Sequence, residues 1–199
     1  MTSDSRERMV RSAASLIRSR GLSATSFSEV LSESGAPRGS IYHHFPQGKE
    51  QLAEDAIRWT SARVLAHLRA GAAATPSDVL KRFIAMWRQV VVSSGGAAGC
   101  VVAGVALDTD ARQAGEIDVV RSTFRSWVKL LAEQLEAVGV TSARATPIAL
   151  ATVAGMEGAL ILCRAEGNAK PLDTVAEELM RLLPPPQTAH PTRSGARRG

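Results

Sequence analysis

Aromatic side chains make up only 4% of the 199 residues, and cysteine occurs just twice. No run of apolar residues approaches the roughly 18 to 20 that a membrane span requires. Cys100 and Cys163 are too few for a disulfide framework in a chain that shows no export signal. The first eleven residues are polar and charged, so the apolar centre of a secretory signal is missing. No Ser-His-Asp arrangement, paired carboxylates or metal-ligand spacing is visible, which argues against an enzyme and calls for no metal or cofactor. What remains is a globular protein expected in the cytoplasm, with no membrane partner.

What is present is positive charge, unevenly placed. The net charge is +5. Residues 1–50 carry seven basic against five acidic side chains, and the end of the chain adds Arg193, Arg197 and Arg198 without an acid. Between them the charges cancel. A basic head on a neutral body fits a nucleic-acid module joined to a domain with another task, although scattered surface charge gives the same isoelectric point.

Every convincing segment has helical periodicity, so the fold class is all-α. Met9, Val10, Ala13, Leu16 and Ile17 form one stripe of a helix from about Arg6 to Arg20, which Gly21 ends. Ser26 and Glu29 are spaced as a capping box for a short helix from Phe27 to Ser34. Gly35 supplies a sharp turn, and Pro37 is expected to open a third helix reaching His43 or His44. Further helices follow over about 49–69, 77–93, 100–109, 112–138, 142–166 and 171–183. In the penultimate one Pro147, capped by Thr146, is an alternative start. The expected division is a DNA-binding unit over 1–50, a body over 51–184, and a disordered basic tail over 185–199.

Helix, glycine turn and helix within about twenty residues, behind a supporting helix, is the layout of a helix-turn-helix, whose second helix enters the major groove. Ile41 and Phe45 turn inward, leaving Pro37, Arg38, Gly39, Ser40, Tyr42 and His43 to face DNA. Arg38 can donate two hydrogen bonds to a guanine edge, and Gly39 lets the backbone approach closely. Tyr42 and His43 can reach phosphate oxygens, and Lys49 sits at a helix start, where amide donors favour phosphate. Adjacent His43 and His44 point about 100° apart, with no further ligand nearby, so metal binding is disfavoured.

Thr25-Ser26-Phe27 through Gly35, then Gly39-Ser40-Ile41-Tyr42-His43-His44-Phe45 followed by Lys49-Glu50-Gln51-Leu52, resembles the signature of the TetR family of transcriptional regulators. The segments Gly99-Cys100-Val101-Val102 and Ala106-Leu107-Asp108 are similar to the branch of drug-efflux repressors related to LmrA. The resemblance implies a homodimer of about nine helices per chain bound to a double-stranded, near-palindromic operator. It implies phosphate contacts at Tyr42 and Lys49, with Thr25, Ser26 and Ser28 anchoring the second helix on the DNA backbone. Pro37 departs from the Ser that caps the third helix in many members.

The resemblance further implies an inducer, apolar or aromatic, held among the central helices. Phe83, Trp87, Cys100, Phe124, Trp127 and Met156 are the candidate lining, each singly also readable as plain core. His67, Arg88 and Arg121 are possible polar anchors. Cys100, with no partner close in sequence, is read as a small buried residue rather than a redox sensor. Ala151, Gly155 and Gly158 leave a smooth strip on the penultimate helix. With Leu162, and with Val175 and Leu179 of the last helix, they form the implied dimer interface; close packing within one chain is the alternative. An inducer-independent regulator or activator is the other functional reading.

Overall fold

The computed structural model describes residues 2–109 and 114–185; the expected tail after residue 185 lies outside the described residues. Among the described residues there are nine helices and no strand. The first three, α1 (Thr2–Arg20), α2 (Phe27–Ser34) and α3 (Ser40–His44), make the small N-terminal bundle. The body is α4 (Lys49–Arg69), α5 (Pro76–Ser93), α6 (Val101–Asp108), α7 (Ala114–Ala137), α8 (Ser142–Glu166) and α9 (Lys170–Arg181).

The bundle is held by its predicted stripe. Met9, Ala13 and Ile17 of α1 are buried with Val30 of α2, Ile41 and Phe45 at α3, and Leu52 and Ala53 of α4. Complete burial of a ring such as Phe45 is worth roughly 2–3 kcal/mol of apolar transfer, which decides how three short helices stay together. α4 packs on α1 at one end and α7 at the other, so it belongs to both bundle and body. An ion pair from Arg6 to Asp55 adds to the first contact.

In the body, α5 buries Val79, Leu80, Phe83, Ile84, Trp87 and Val91, and packs against α7, α8 and α9. Its start lies one step earlier than the periodicity suggests. Thr75 accepts from the Asp78 N–H and Asp78 reaches back to the Thr75 N–H, a capping box in which Pro76 fills the first helical position. α8 begins at Ser142, with Pro147 inside the helix, so the alternative start at Thr146 is not used. By length and composition alone α8 could cross a membrane, with a mean hydropathy of 1.6 over 18 residues. One side of it, through Ile148, Thr152, Met156, Leu160 and Cys163, is buried in the core.

A second seam joins bundle to body through α6, which lies against α1. The Gly99 N–H donates to the Arg18 carbonyl at 2.7 Å, and the Ser23 N–H donates to Asp108 Oδ2 at 2.8 Å. Gly104 permits this approach: a Cβ there would stand 3.2 Å from the Ile17 carbonyl oxygen.

Candidate nucleic-acid interface and internal cavity

The local rules that shape the α2–α3 unit are in the sequence. Ser26 accepts from the Glu29 N–H while the Glu29 carboxylate accepts from the Ser26 N–H at 3.0 Å. Hydrogen bonds from Ser26, followed by the charge of Arg20, hold the Glu29 carboxyl below its ordinary range, so the box stays ionised. Gly35 ends α2 with φ +64°, a left-handed position that suits glycine. The third helix is shorter than expected. Pro37 does not open it; its carbonyl accepts the Ser40 N–H at 2.9 Å and the Ser40 hydroxyl at 2.6 Å, and the helix begins at Ser40. Pro37, Arg38 and Gly39 therefore form an exposed turn in front of a five-residue helix.

That short helix is sharply two-sided. Ile41 and Phe45 are wholly buried, whereas Tyr42 is 69% exposed and His43 is also exposed. The Phe27 ring meets the Tyr42 ring edge-on at 5.7 Å and props it outward. His44 is half-buried, its ring against Phe45. Between Ser34 and Lys49 the chain has two basic residues, two histidines and no acid. α4 follows with no side-chain cap on its first amides, and Lys49 Nζ donates to the Ser23 carbonyl at 3.2 Å, which holds the ammonium beside the start of α2.

Thus Ser28, Pro37, Arg38, Gly39, Tyr42, His43 and Lys49 are at the surface or half-exposed at it, with Ser40 half-buried. Thr25 differs from its sequence assignment. It is 3% exposed, and its hydroxyl donates to the Gly21 carbonyl at 2.8 Å, so it fixes the α1–α2 turn from inside. Ser26 is exposed, but its hydroxyl is engaged with Glu29 and Ser28.

A cavity of about 350 Å³ lies between α1, α4, α5 and the segment entering α6. Of the six residues proposed from sequence, Trp87 lines it. Phe83, Trp127 and Met156 are buried in the core; the Phe83 ring meets Trp87 edge-on at 6.2 Å, and Trp127 lies tilted against Trp87 at 5.9 Å. They back the cavity wall without forming it. Phe124 borders a separate groove between α7 and α8. Cys100 borders a smaller hollow of about 160 Å³ between α1, α6 and α8, facing Glu157. Burial, then the neighbouring Glu157, pushes the Cys100 thiol well up, while burial pushes the Glu157 carboxyl up to about 7. Both cysteines are free. Among the suggested polar anchors, His67 lines the cavity of about 350 Å³. Arg88 instead holds Asp173 at 2.7 and 3.2 Å, joining α5 to α9, and Arg121 pairs with Asp118.

On the polar side of the cavity, the residues that sequence reading missed are Arg11, Ser15 and Arg18 on α1, and Trp59, Thr60 and Arg63 on α4; Val64, Met86 and Val90 on its apolar side were missed too. Arg11, Ser15 and Arg18 recur at helical spacing opposite the α1 core stripe, and Trp59, Arg63 and His67 recur along the edge of the α4 one. The signal was a tryptophan in such a set, Trp59-Arg63-His67, where a solvated face has no use for one.

Residues 10–56 match the family model for bacterial regulatory proteins of the tetR family, and residues 76–178 match the C-terminal domain of LmrA/YxaF-like transcriptional regulators. The chain belongs to the TetR family. A helix-turn-helix transcriptional regulator of Mycobacterium tuberculosis H37Rv is 38% identical over 183 residues, covering 89% of this chain and 93% of its own length. LmrA of Bacillus subtilis 168 is 27% identical over 182 residues, covering 90% and 97%. In fold, a TetR regulator from Legionella pneumophila superposes with a TM-score of 0.81 at 22% identity, over 89% of this chain and 96% of that one. The exposed α3 surface therefore belongs to a DNA-binding transcriptional regulator and not to an enzyme.

α8 and α9 divide the residues expected at the dimer interface into two groups. A Cβ on Gly155 would meet Val175 and Leu179 at 3.4–3.5 Å, so these three pack α8 on α9 within one chain. Ala151 is half-buried beside them. Gly158 and Leu162 face outward, with Leu150 (56% exposed), Ala154 and Ile161 (58% exposed), as an uncovered apolar stripe at helical spacing.

Proposed function

We propose that the protein is a ligand-responsive repressor that binds a near-palindromic operator as a homodimer and leaves it when a small apolar or aromatic molecule enters the body. The observation that carries the DNA-reading part is the two-sidedness of α3: Tyr42 is 69% exposed while Ile41 beside it is wholly buried. In this reading Arg38 reads a base edge, Gly39 and Ser40 allow close approach, and Tyr42, His43, Ser28 and Lys49 hold phosphates. The uncapped amides at the start of α4 add a phosphate site beside Lys49. Thr25 and Ser26 serve by setting the angle of α2. The domains follow the same division, reading head over 1–50 and sensing body over 51–184.

The uncovered stripe of Leu150, Gly158, Ile161 and Leu162 supports dimerisation through α8, with α9 alongside. Two-fold symmetry then sets the two α3 helices about one DNA turn apart. Coupling runs through the seam: a ligand between α1, α4 and α5 touches the reading head and the body together, next to the Gly99–Arg18 hydrogen bond. It shifts the head spacing only as far as it binds one spacing better than the other. The protein acts on DNA in the cytoplasm. Footprinting of the DNA upstream of its own gene tests this reading: two protected half-sites with centres about 10 base pairs apart, or a multiple of that, are expected. A single unrepeated footprint, or protection without sequence preference, would refute the dimeric operator.

A further inference from the structure

We propose that the cavity between α1, α4 and α5 takes an organic anion, an aromatic body carrying a carboxylate. The proposal rests on the ligand-responsive reading and adds the charge that sequence left out. Arg11, Arg18, Arg63 and His67 all border the space, and no acidic residue does. Two of the arginines are engaged: Arg11 pairs with Glu7 at 2.5 Å, and Arg63 lies over the Trp59 ring at 4.9 Å. Arg18 is half-buried and makes no ion pair among the described residues. Arg18 borders both this acid-free cavity and the smaller hollow that holds Asp108 and Glu157, and a half-buried guanidinium without an ion pair is a ready partner for a carboxylate, which it can hold through two parallel hydrogen bonds.

The opposite wall supplies the rest. Val64, Met86, Trp87 and Val90 offer apolar surface for a flat ring system. Within that wall two polar atoms are shut off from water without a partner among the described residues, Trp87 Nε1 and Thr60 Oγ1. Trp87 is only 4% exposed, so its indole N–H has no access to bulk water. A buried donor without an acceptor is rare and costly, and a small rotation of either side chain toward an acceptor oxygen on a bound molecule would remove the cost. A hydrocarbon would leave both groups and Arg18 unanswered, and a cationic compound would face the arginines directly. The anion would draw on Arg18, whose carbonyl holds the Gly99 N–H at 2.7 Å, so it acts on the residue that ties head to body.

The test titrates the full chain with three isosteric probes, naphthalene-2-carboxylate, naphthalene-2-carboxamide and 2-naphthylmethylammonium, following tryptophan fluorescence. Trp59 and Trp87 line the cavity, and Trp127 lies tilted against Trp87, so all three tryptophans report. The carboxylate is expected to bind about tenfold tighter than the amide, with the ammonium weakest. Arg18→Gln, which keeps the backbone carbonyl of the seam, should bring the carboxylate down to the amide's affinity and leave the amide unchanged. Arg125→Gln, which removes the same charge away from the cavity, should change neither. Amide or ammonium binding as tight as the carboxylate, a preference that survives Arg18→Gln, or no saturable binding by any probe would overturn the proposal. DNA release is scored separately. A neutral probe that binds best and frees DNA overturns the anion site while sparing the ligand-responsive reading. Carboxylate bound with DNA retained upholds the site and refutes that reading.

Discussion

Replacing Glu157 by Gln is expected to stabilise the protein at alkaline pH and to do much less in mild acid. Glu157 is half-buried as a residue, but its Oε2 is shut off from water with no partner among the described residues, and burial lifts its carboxyl from 4.5 to about 7. The folded chain thus holds this proton more tightly than the unfolded chain. Below pH 4.5 both states are protonated and the site costs nothing. Between 4.5 and about 7 the unfolded state ionises first, and stability falls as the pH rises. At about 1.4 kcal/mol per decade, the full loss is about 3 kcal/mol once both states are ionised. Less than half of it is already lost at pH 5.5, leaving about 2 kcal/mol between pH 5.5 and 8.5. Gln stays neutral and still presents an acceptor to Cys100. Urea unfolding of both proteins at the two pH values, at constant ionic strength, measures the difference. An equal stability gain at both would refute the reasoning, because it would mean that Glu157 ionises as freely in the fold as in water.

Two further substitutions probe the packing and the assembly. Gly96 has φ +84°, and a Cβ there would come within 2.8 Å of the Cys163 carbonyl oxygen and 2.9 Å of the Gly167 backbone. Gly96→Ala is therefore expected to cost about 3 kcal/mol or more, visible as a drop in Tm of roughly 6–12 °C, and an unchanged melt would contradict this placement of the loop. Ile161→Glu puts a charge in the uncovered stripe of α8 and should convert the proposed dimer to monomer in sedimentation velocity without lowering helicity; a variant that stays dimeric would move the interface elsewhere.

The elements were legible where local chemistry decides them. The Ser26–Glu29 box, the Gly35 turn and the stripe from Met9 to Ile17 each dictate one outcome, and the helices lie over those signals, although α1 starts at Thr2, a turn before the expected Arg6. Pro37 shows the limit of such rules: a proline fits a first helical turn, but its carbonyl serves equally well to close a turn onto Ser40, and the longer helix is not formed. Thr75 was hidden by its alanine-rich surroundings, although its spacing to Asp78 carries the cap. The cavity was the least legible part. Of the aromatic residues that the sequence suggests, Phe83 and Trp127 are too well placed in the core to border an opening. Its polar half comes from faces of α1 and α4 that read as solvated until the two helices are brought together. Thr25 makes the same point at the DNA surface. Its position in a motif says that it matters, and only its burial and its bond to Gly21 say how.

The central claim is that the exposed side of α3 reads base sequence, and a salt titration of operator binding by wild-type, Tyr42→Ala and Arg38→Ala proteins tests it most directly. Arg38→Ala is expected to lose about 1–3 kcal/mol of discrimination between operator and scrambled DNA. Tyr42→Ala should weaken binding to both DNAs alike, as loss of a phosphate contact does. Arg38→Ala retaining full preference for the operator at every salt concentration would contradict the account.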